Sequence, residues 1–419
     1  MQNAQFTVAS LGGSGEEARN CFLVESGGRA ILLDCGVRRE ALGAVDRVYP
    51  AVTENIAARL DAVFLSHAHE DHVAALPYLY ELGYRGPVYG TGETIRLAGG
   101  FMKKWADYVT SAGGTLPFSG EAVGRIKFCP LSLGPQIIDG IHVVAGRSGH
   151  MLGSCWLQFE FGDKTLLYTG DMALDGRLLA TDLPPQSDAA VIDCAYAGRV
   201  LSQDGQYGAL LQRVRQAVAA GGKVLLPVPP NGRGSDILLY LCGHLDDVTI
   251  YAEANVVSLC GELLQKRRWL REGAGGPINA VSLEDGQARM RALSADGPAV
   301  YLTGDGMMSG PTAAVYFEAL KGAAENCILI TGHTAEGALG SKIFDLAFCA
   351  QAGMTAAAER LTIKVHLDNQ DVIALNQAVR AKQVLLFHAP LENTQGLVRE
   401  LRQAGVDARC GLWPQRLEI

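Results

Sequence analysis

The chain has 419 residues, a formal net charge of −8, 48% hydrophobic residues and 19% charged residues. That length points to two domains or one elaborated fold. The acidic balance excludes a general electrostatic attraction to nucleic acid, so such a partner needs a local basic groove or bound cations. No apolar run approaches the roughly 20 residues of a membrane span. Residues 1–5 lack the basic-then-apolar pattern of a secretory signal. The ten cysteines form no Cys-x-x-Cys pair. That usage suits reduced, core-packed thiols in a cytoplasmic chain.

In chain order, an apolar run over 6–11 reads as a strand meeting Gly12-Gly13-Ser14-Gly15. Without a following Lys-Ser/Thr this glycine run is a turn rather than a phosphate loop. Runs at 21–25 and 30–34 flank Gly27-Gly28 and predict a hairpin ending at Asp34. A helix over 53–60 feeds a strand at 62–65, which ends in Ser66-His67-Ala68-His69-Glu70-Asp71-His72. Apolar spacing at Val73, Leu76, Leu79 and Tyr80 predicts a helix over 72–82. A strand at 87–89 and a helix over 91–108 follow. Strand 141–145 then leads to Gly149-His150, strand 165–169 to Gly170-Asp171, and strand 189–192 to Asp193. From about residue 200 the rhythm changes. Helices over 207–220, 234–243, 254–271 and 311–321 alternate with strands at 223–226, 248–250, 299–302 and 327–330. Such alternation predicts a parallel sheet covered by helices. A β-branched run at 361–366 ends in His366. A helix over 369–381, a strand at 384–388 ending in His388, and a helix over 391–404 complete the series.

Polar groups therefore gather at predicted strand ends: Asp34, the 67–72 cluster, His150, Asp171, His366 and His388. Strand ends on one edge of a sheet are where an α/β fold builds its site. Six of the nine histidines belong to this set. Taken singly, His150 reads equally as a turn residue and Asp171 as a helix cap. Jointly they supply metal chemistry, because neutral imidazoles and carboxylates ligate Zn²⁺ and similar ions. A two-metal hydrolytic site needs about three ligands per ion plus a bridging carboxylate; it holds a hydroxide between the ions and clamps phosphoryl oxygens. The chain supplies His67, His69 and His150 for one ion, Asp71, His72 and His388 for the other, and Asp171 between them. Two Zn²⁺ ions suit this set, with Mn²⁺ or Fe²⁺ as alternatives.

The motifs resemble those of the metallo-β-lactamase superfamily: Asp34 stands as its first, His67-x-His69-x-Asp71-His72 as its second, His150 as its third and Asp171 as its fourth. The rest of the chain is similar to the β-CASP branch, whose members include the endonuclease subunit of the cleavage and polyadenylation specificity factor and its bacterial and archaeal relatives. Asp193 matches motif A, His366 motif B and His388 motif C. Connecting patterns recur as Asn231-Gly232-Arg233-Gly234, Gly306-Met307-Met308-Ser309-Gly310 and Thr331-Gly332-His333-Thr334-Ala335-Glu336-Gly337. The resemblance implies an α/β fold: an αββα sandwich from 1–200 and 361–419, with a parallel α/β domain inserted over 201–360. It implies a metal-dependent ribonuclease that hydrolyses phosphodiester bonds of single-stranded RNA, in which Asp71 has a catalytic as well as a ligand role. His366 would then be the general acid for the leaving 3′-oxygen, Asp193 would orient it, and Asp34 would fix a ligand histidine. Arg233 resembles the family's phosphate-side arginine, and Ser309, Gly310 and His333 are assigned with it to substrate. A histidine at motif C looks like the RNA-acting members. Dimerisation is common in the family, so a homodimer is an open expectation.

The chain also departs from the family pattern. Ala389-Pro390 follows His388 where Gly-Glu is usual, Leu361-Thr362-Ile363-Lys364-Val365 precedes motif B, and His333 replaces a common tyrosine. Residues 200–360 hold 13 Lys/Arg against 16 Asp/Glu. These departures leave substrate identity open. The alternatives are a bimetallic hydrolase of a small phosphodiester, ester or lactone, and a non-catalytic RNA-binding subunit.

Overall fold

Apolar strands from residues 6–193 and 383–418 build two sheets that share one interior. In the computed structural model, which describes residues 6–39, 44–335, 337–411 and 416–419, the chain divides into two compact units. Residues 1–5, read above for a secretory signal, and Glu336 lie outside the described residues. The first unit comprises Met1–Leu174, Thr181–Val200 and His366–Ile419; the second comprises Asp175–Ala180 and Leu201–Val365.

The first unit holds two seven-stranded sheets. One runs in the spatial order Arg416–Glu418, Phe6–Gly12, Cys21–Ser26, Arg29–Leu33, Ala62–Phe64, Pro87–Thr91, Lys127–Leu131. The other runs Asp407–Arg409, Gln383–Phe387, Ala189–Asp193, Lys164–Tyr168, Cys155–Phe161, Ile141–Arg147, Gly134–Ile138. Alternate residues of both meet in one core: Phe6, Val8, Phe22, Val24, Ile31 and Leu33 from the first, Leu157, Phe159, Leu166, Tyr168, Leu385 and Phe387 from the second. Phe22 packs edge-on against Phe387, centroids 5.2 Å apart. The remaining faces carry helices. Leu32 and Val63 pack with Leu76, Leu79 and Trp105 on one side, Ile192 and Leu386 with Val372, Leu375 and Leu397 on the other. The order is helix, sheet, sheet, helix, so central strands such as Ala62–Phe64 and Ala189–Asp193 are buried on both faces.

The second unit is a six-stranded, wholly parallel sheet in the order Val281–Leu283, Thr249–Glu253, Ala299–Thr303, Lys223–Pro227, Cys327–Ile330, Ala357–Arg360. Its central strands are buried on both faces, against Leu210, Ile237 and Val256 on one and Tyr316, Phe317 and Leu320 on the other. That explains their continuous apolar runs.

Four expectations change. The helix expected over 72–82 is two short ones, Glu70–Val73 and Leu76–Glu81. Pro77 has no N–H to return to Val73, so the first helix stops and a second starts with proline in its first turn. The helix expected over 254–271 ends at Gln265, and Arg267–Trp269 forms a separate 3₁₀ turn. No strand forms over 361–366. The edge strand there is Ala357–Arg360, and the Gln203 and Gln206 side chains take the backbone groups of Thr362 and Lys364 instead. Finally, the strand Val281–Leu283 and helix Gly286–Ser294 occupy what reads as a loop. Among the described residues no helix is long and apolar enough to cross a membrane.

Candidate metal centre

All the expected metal ligands belong to the first unit, on loops that follow its strands. Asp34 follows the strand Arg29–Leu33 and His388 follows Gln383–Phe387. Both take left-handed backbone, φ 57° and 71°, a conformation uncommon for non-glycine residues and concentrated at functional sites. Asp171 lies three residues beyond Lys164–Tyr168, His150 lies in the turn after Ile141–Arg147, and Asp193 ends its own strand. The 67–72 loop is seated closely. Asn20 N–H donates to the Asp71 carbonyl at 2.9 Å and Cys35 N–H to that of His72 at 2.8 Å. Gly36 makes this possible, since a Cβ there would stand 1.6 Å from the Asp71 carbonyl oxygen.

Three donor groups share Asp171: two match the expected ligand sets, and a third joins it to Asp193, His366 and His388. In the first, His69 Nδ1 is 3.1 Å from His67 Nε2 and 3.0 Å from His150 Nε2. Asp171 Oδ2 is 3.4 Å from His67 Nε2 and 3.5 Å from His150 Nε2. In the second, His72 Nε2 is 3.2 Å from Asp171 Oδ1 and 3.4 Å from Asp71 Oδ2, which lies 3.2 Å from His388 Nε2. Donors placed tetrahedrally about 2.0–2.1 Å from a Zn²⁺ ion stand about 3.3–3.4 Å apart. The observed spacings bracket that value, and one carboxylate gives an oxygen to each of the first two groups. Asp171 Oδ1 is buried without a hydrogen-bond partner, as an atom turned toward a cation is. The donor set therefore fits divalent metal.

Electrostatics supports the same reading. Burial, reinforced by neighbouring His72, holds His67 well below the usual histidine range, and burial brings His69 to about 4. Burial alone would raise Asp171 and Asp71. Their histidine neighbours, His388 and His72 around Asp171 and His72 and His388 around Asp71, overcome it and hold both carboxylates well below their usual range. Conversely, burial opposes protonation of His72 and His388, yet Asp171 and Asp71 push both well up. The cluster thus favours positive charge beside its buried carboxylates, which a divalent ion supplies.

Around these donors lies a supporting shell. Asp34, fully buried, accepts from His72 Nδ1 at 2.6 Å, Ser66 N–H at 2.8 Å, Ser66 Oγ at 2.6 Å and Tyr168 Oη at 2.5 Å. This fixes the His72 tautomer and leaves Nε2 as its donor. Asp193 accepts from the backbone N–H of Met172 and Ala195, and its Oδ2 lies 3.1 Å from His366 Nδ1. Burial would raise Asp193, but His366 brings it to about 2. The His366 ring stands 4.6 Å from that of His150 and 4.9 Å from that of His388.

Three participants carry no sequence motif recognised above. Asn20 Nδ2 is 3.2 Å from Asp71 Oδ2 and 2.8 Å from His72 Nε2. Ser66 and Tyr168 hold Asp34. Ser66 adjoins the histidine cluster, which is a usable signal; Tyr168 and Asn20 are distant in sequence and offer none.

The residues assigned to substrate sit in the second unit, after its parallel strands. Arg233 opens the helix Arg233–Cys242, and its guanidinium lies against Gly332, where a Cβ would be 2.3 Å from Nη2. His333 is exposed beside it in sequence. Gly310 N–H donates to Asp305 Oδ2 at 2.6 Å, and Ser309 Oγ lies 3.4 Å from Asp305 Oδ1. The start of helix Pro311–Leu320 thus already faces a carboxylate.

The profile described as "Metallo-beta-lactamase superfamily" matches residues 14–227, just over half of the chain, and the one described as "Beta-Casp domain" matches 244–343. The chain is 30% identical over 375 residues to the transcription termination factor FttA of a Lokiarchaeum species, covering 81% of this chain and 58% of that protein. It thus spans less than two-thirds of the length of that archaeal relative. It is 28% identical to ribonuclease TTHA0252 of Thermus thermophilus, covering 80% of this chain and 81% of that one. It is 25% identical to Integrator complex subunit 11 of Danio rerio, covering 94% and 71%. A crystal structure of a protein of unknown function from Enterococcus faecalis shares the fold, with a TM-score of 0.63 at 14% identity over 99% of this chain and 100% of the other. With its paired ligand groups and both matched domains, the chain belongs to the metallo-β-lactamase superfamily, in the branch that carries a Beta-Casp domain.

Proposed function

We propose that this protein is a metal-dependent ribonuclease that hydrolyses phosphodiester bonds of single-stranded RNA. The observation that carries the reading is the sharing of Asp171 between two donor groups, with the His366–Asp193 pair beside them. The Thermus thermophilus relative, whose name states a ribonuclease activity, supports the substrate class. We assign two ions, most simply Zn²⁺, one to His67, His69, His150 and Asp171 and one to Asp71, His72, His388 and Asp171. When bound, such ions would polarise phosphoryl oxygens and lower the pKa of bound water to the neutral range.

The chain's own groups then divide the remaining work. Asp193 engages His366 Nδ1, which leaves Nε2 to deliver a proton to the departing 3′-oxygen. Asp34 holds His72 in the tautomer that presents Nε2. Burial of His67 and Asp171, 0% and 1% exposed, keeps bulk water from competing for their donor atoms. Arg233 is the second unit's candidate phosphate contact. The ten free cysteines fit a reducing, cytoplasmic setting; thiol counting on the denatured chain from its native cell is expected to find them reduced.

The test is cleavage of a labelled single-stranded RNA, a DNA of the same sequence and bis-p-nitrophenyl phosphate by metal-loaded protein. Metal-dependent RNA cleavage, lost in Asp71→Ala and reduced about 10²–10⁴-fold in His366→Ala, is expected. Turnover of the small diester without RNA cleavage would replace this reading with the small-diester hydrolase. The acidic balance of 200–360, 13 Lys/Arg against 16 Asp/Glu, is the feature that favours that second reading.

A further inference from the structure

The helix Gly92–Ser111 carries Phe101, Lys104 and Tyr108 at a spacing that puts them on one face. Phe101 is half-buried, and its ring meets that of the metal-ligand candidate His69 edge-on, with centroids 5.3 Å apart and planes at 76°. Lys104 is exposed, and its ammonium lies 4.8 Å from the Phe101 ring centroid. Its neighbours are differently engaged. Lys103 pairs with Asp107 at 2.6 Å, and Arg39 pairs with Glu70 at 2.8 Å while its guanidinium lies 4.4 Å from the Tyr108 centroid. An aromatic ring and a solvated cation thus stand together beside the donor cluster, and neither has a part in holding metal.

Single-stranded nucleic acid is held by this combination, bases stacking on aromatic faces and phosphates pairing with cations. Phe101 packs in part against the core beneath its helix, and its exposed remainder is accounted for if something stacks on it. A lysine resting on that ring is a reversible cover, because its long stem swings to an arriving phosphate at little cost. We propose that Phe101 and Lys104 form a nucleotide subsite at the His69 side of the metal centre, where one base of single-stranded RNA stacks on Phe101 and an adjoining phosphate pairs with Lys104. This inference rests on the ribonuclease reading above and adds where the strand is gripped. Stacking is sequence-tolerant, so the subsite favours single strands over duplex without selecting a base.

The test compares steady-state cleavage of a short single-stranded RNA with hydrolysis of bis-p-nitrophenyl phosphate, which lacks a neighbouring nucleotide. Phe101→Leu keeps an apolar side chain against His69 and removes the aromatic face. The expected result is an RNA KM raised about tenfold, with kcat and small-diester turnover little changed, and recovery in Phe101→Trp. Lys104→Ala is expected to raise KM and to lower the slope of log KM against log salt by about 0.7. Metal content of each variant reports whether His69 still binds. Equal losses on RNA and on the small diester would make Phe101 a support for His69 and overturn the subsite. An RNA KM unchanged in both variants would overturn it as well. If the wild type leaves RNA uncut, the ribonuclease reading fails on its own. RNA affinity measured by fluorescence anisotropy then decides the subsite: affinity lost in both variants sustains it, and affinity unchanged overturns it.

Discussion

Asp34 does the most at the scale of single residues. One carboxylate takes four hydrogen bonds, from His72, both donors of Ser66, and Tyr168. Asp34→Asn places an amide N–H₂ where a donor already points, so His72 loses its orientation. Metal affinity of the Asp71–His72–His388 group is expected to fall about 10–100-fold, while the His67–His69–His150 group keeps its ion. Metal-to-protein ratios after dialysis against a graded chelator check this; equal loss from both groups would count against it. Protons separate the two groups further. His69 sits near 4 and His67 is also lowered, so both offer free lone pairs throughout the neutral range. His72 and His388 are raised, so an ion binding there must displace protons. Binding to that group therefore weakens as pH falls. Between about pH 8 and pH 5.5 the second ion is expected to leave first, seen as metal content dropping from two toward one per chain.

At the scale of elements, the approach of loop to loop at Gly36 is unforgiving. Its neighbour is the backbone oxygen of Asp71, which no rotamer change removes. Gly36→Ala is expected to cost about 3 kcal/mol or more and to lower metal content, measured by chemical denaturation and metal analysis. A near-neutral result would show that the loop yields more readily than the contact suggests. The same scale shows what is legible in sequence. The 67–72 cluster is readable because its candidate donors fall within six residues and a strand leads into them. His150, Asp171 and His388 are readable as polar endings to apolar runs. Asn20 is not, since it reaches Asp71 only after a turn folds back across 51 positions. The run 361–366 misleads because β-branched residues have strand chemistry there, while the Gln203 and Gln206 side chains, over 150 residues away in sequence, compete for its backbone. Pro77 carried the signal for the split helix, but apolar spacing on both sides of it continues the helical period. The strand Val281–Leu283 is too short for periodicity to register.

At the scale of the whole molecule, carboxylates buried among histidines tie stability to metal. Asp34, Asp171 and Asp193 are at most 1% exposed. A cation that binds the folded chain alone adds about 2.7 kcal/mol at a hundredfold excess over its Kd. Dialysis against chelator is therefore expected to lower Tm, and readdition of Zn²⁺ to restore it. A Tm indifferent to metal would remove the donor cluster from any structural role. The two-unit division is legible in the change of rhythm near residue 200. The excursion of Asp175–Ala180 into the second unit is not, because the Ala180–Trp269 and Leu178–Arg271 backbone pairs that place it join residues about 90 positions apart.

The chain path also has a consequence for synthesis on the ribosome. His67, His69, His150 and Asp171 all lie in the first 171 positions, whereas His366 and His388 arrive only after the whole second unit has been made. A nascent chain that has emerged as far as Val365 holds the candidate donors of the first group, but neither His388, which completes the second, nor His366, which pairs with Asp193. On the ribonuclease reading proposed above, cutting chemistry would thereby be withheld from an unfinished chain still attached to the messenger RNA that encodes it.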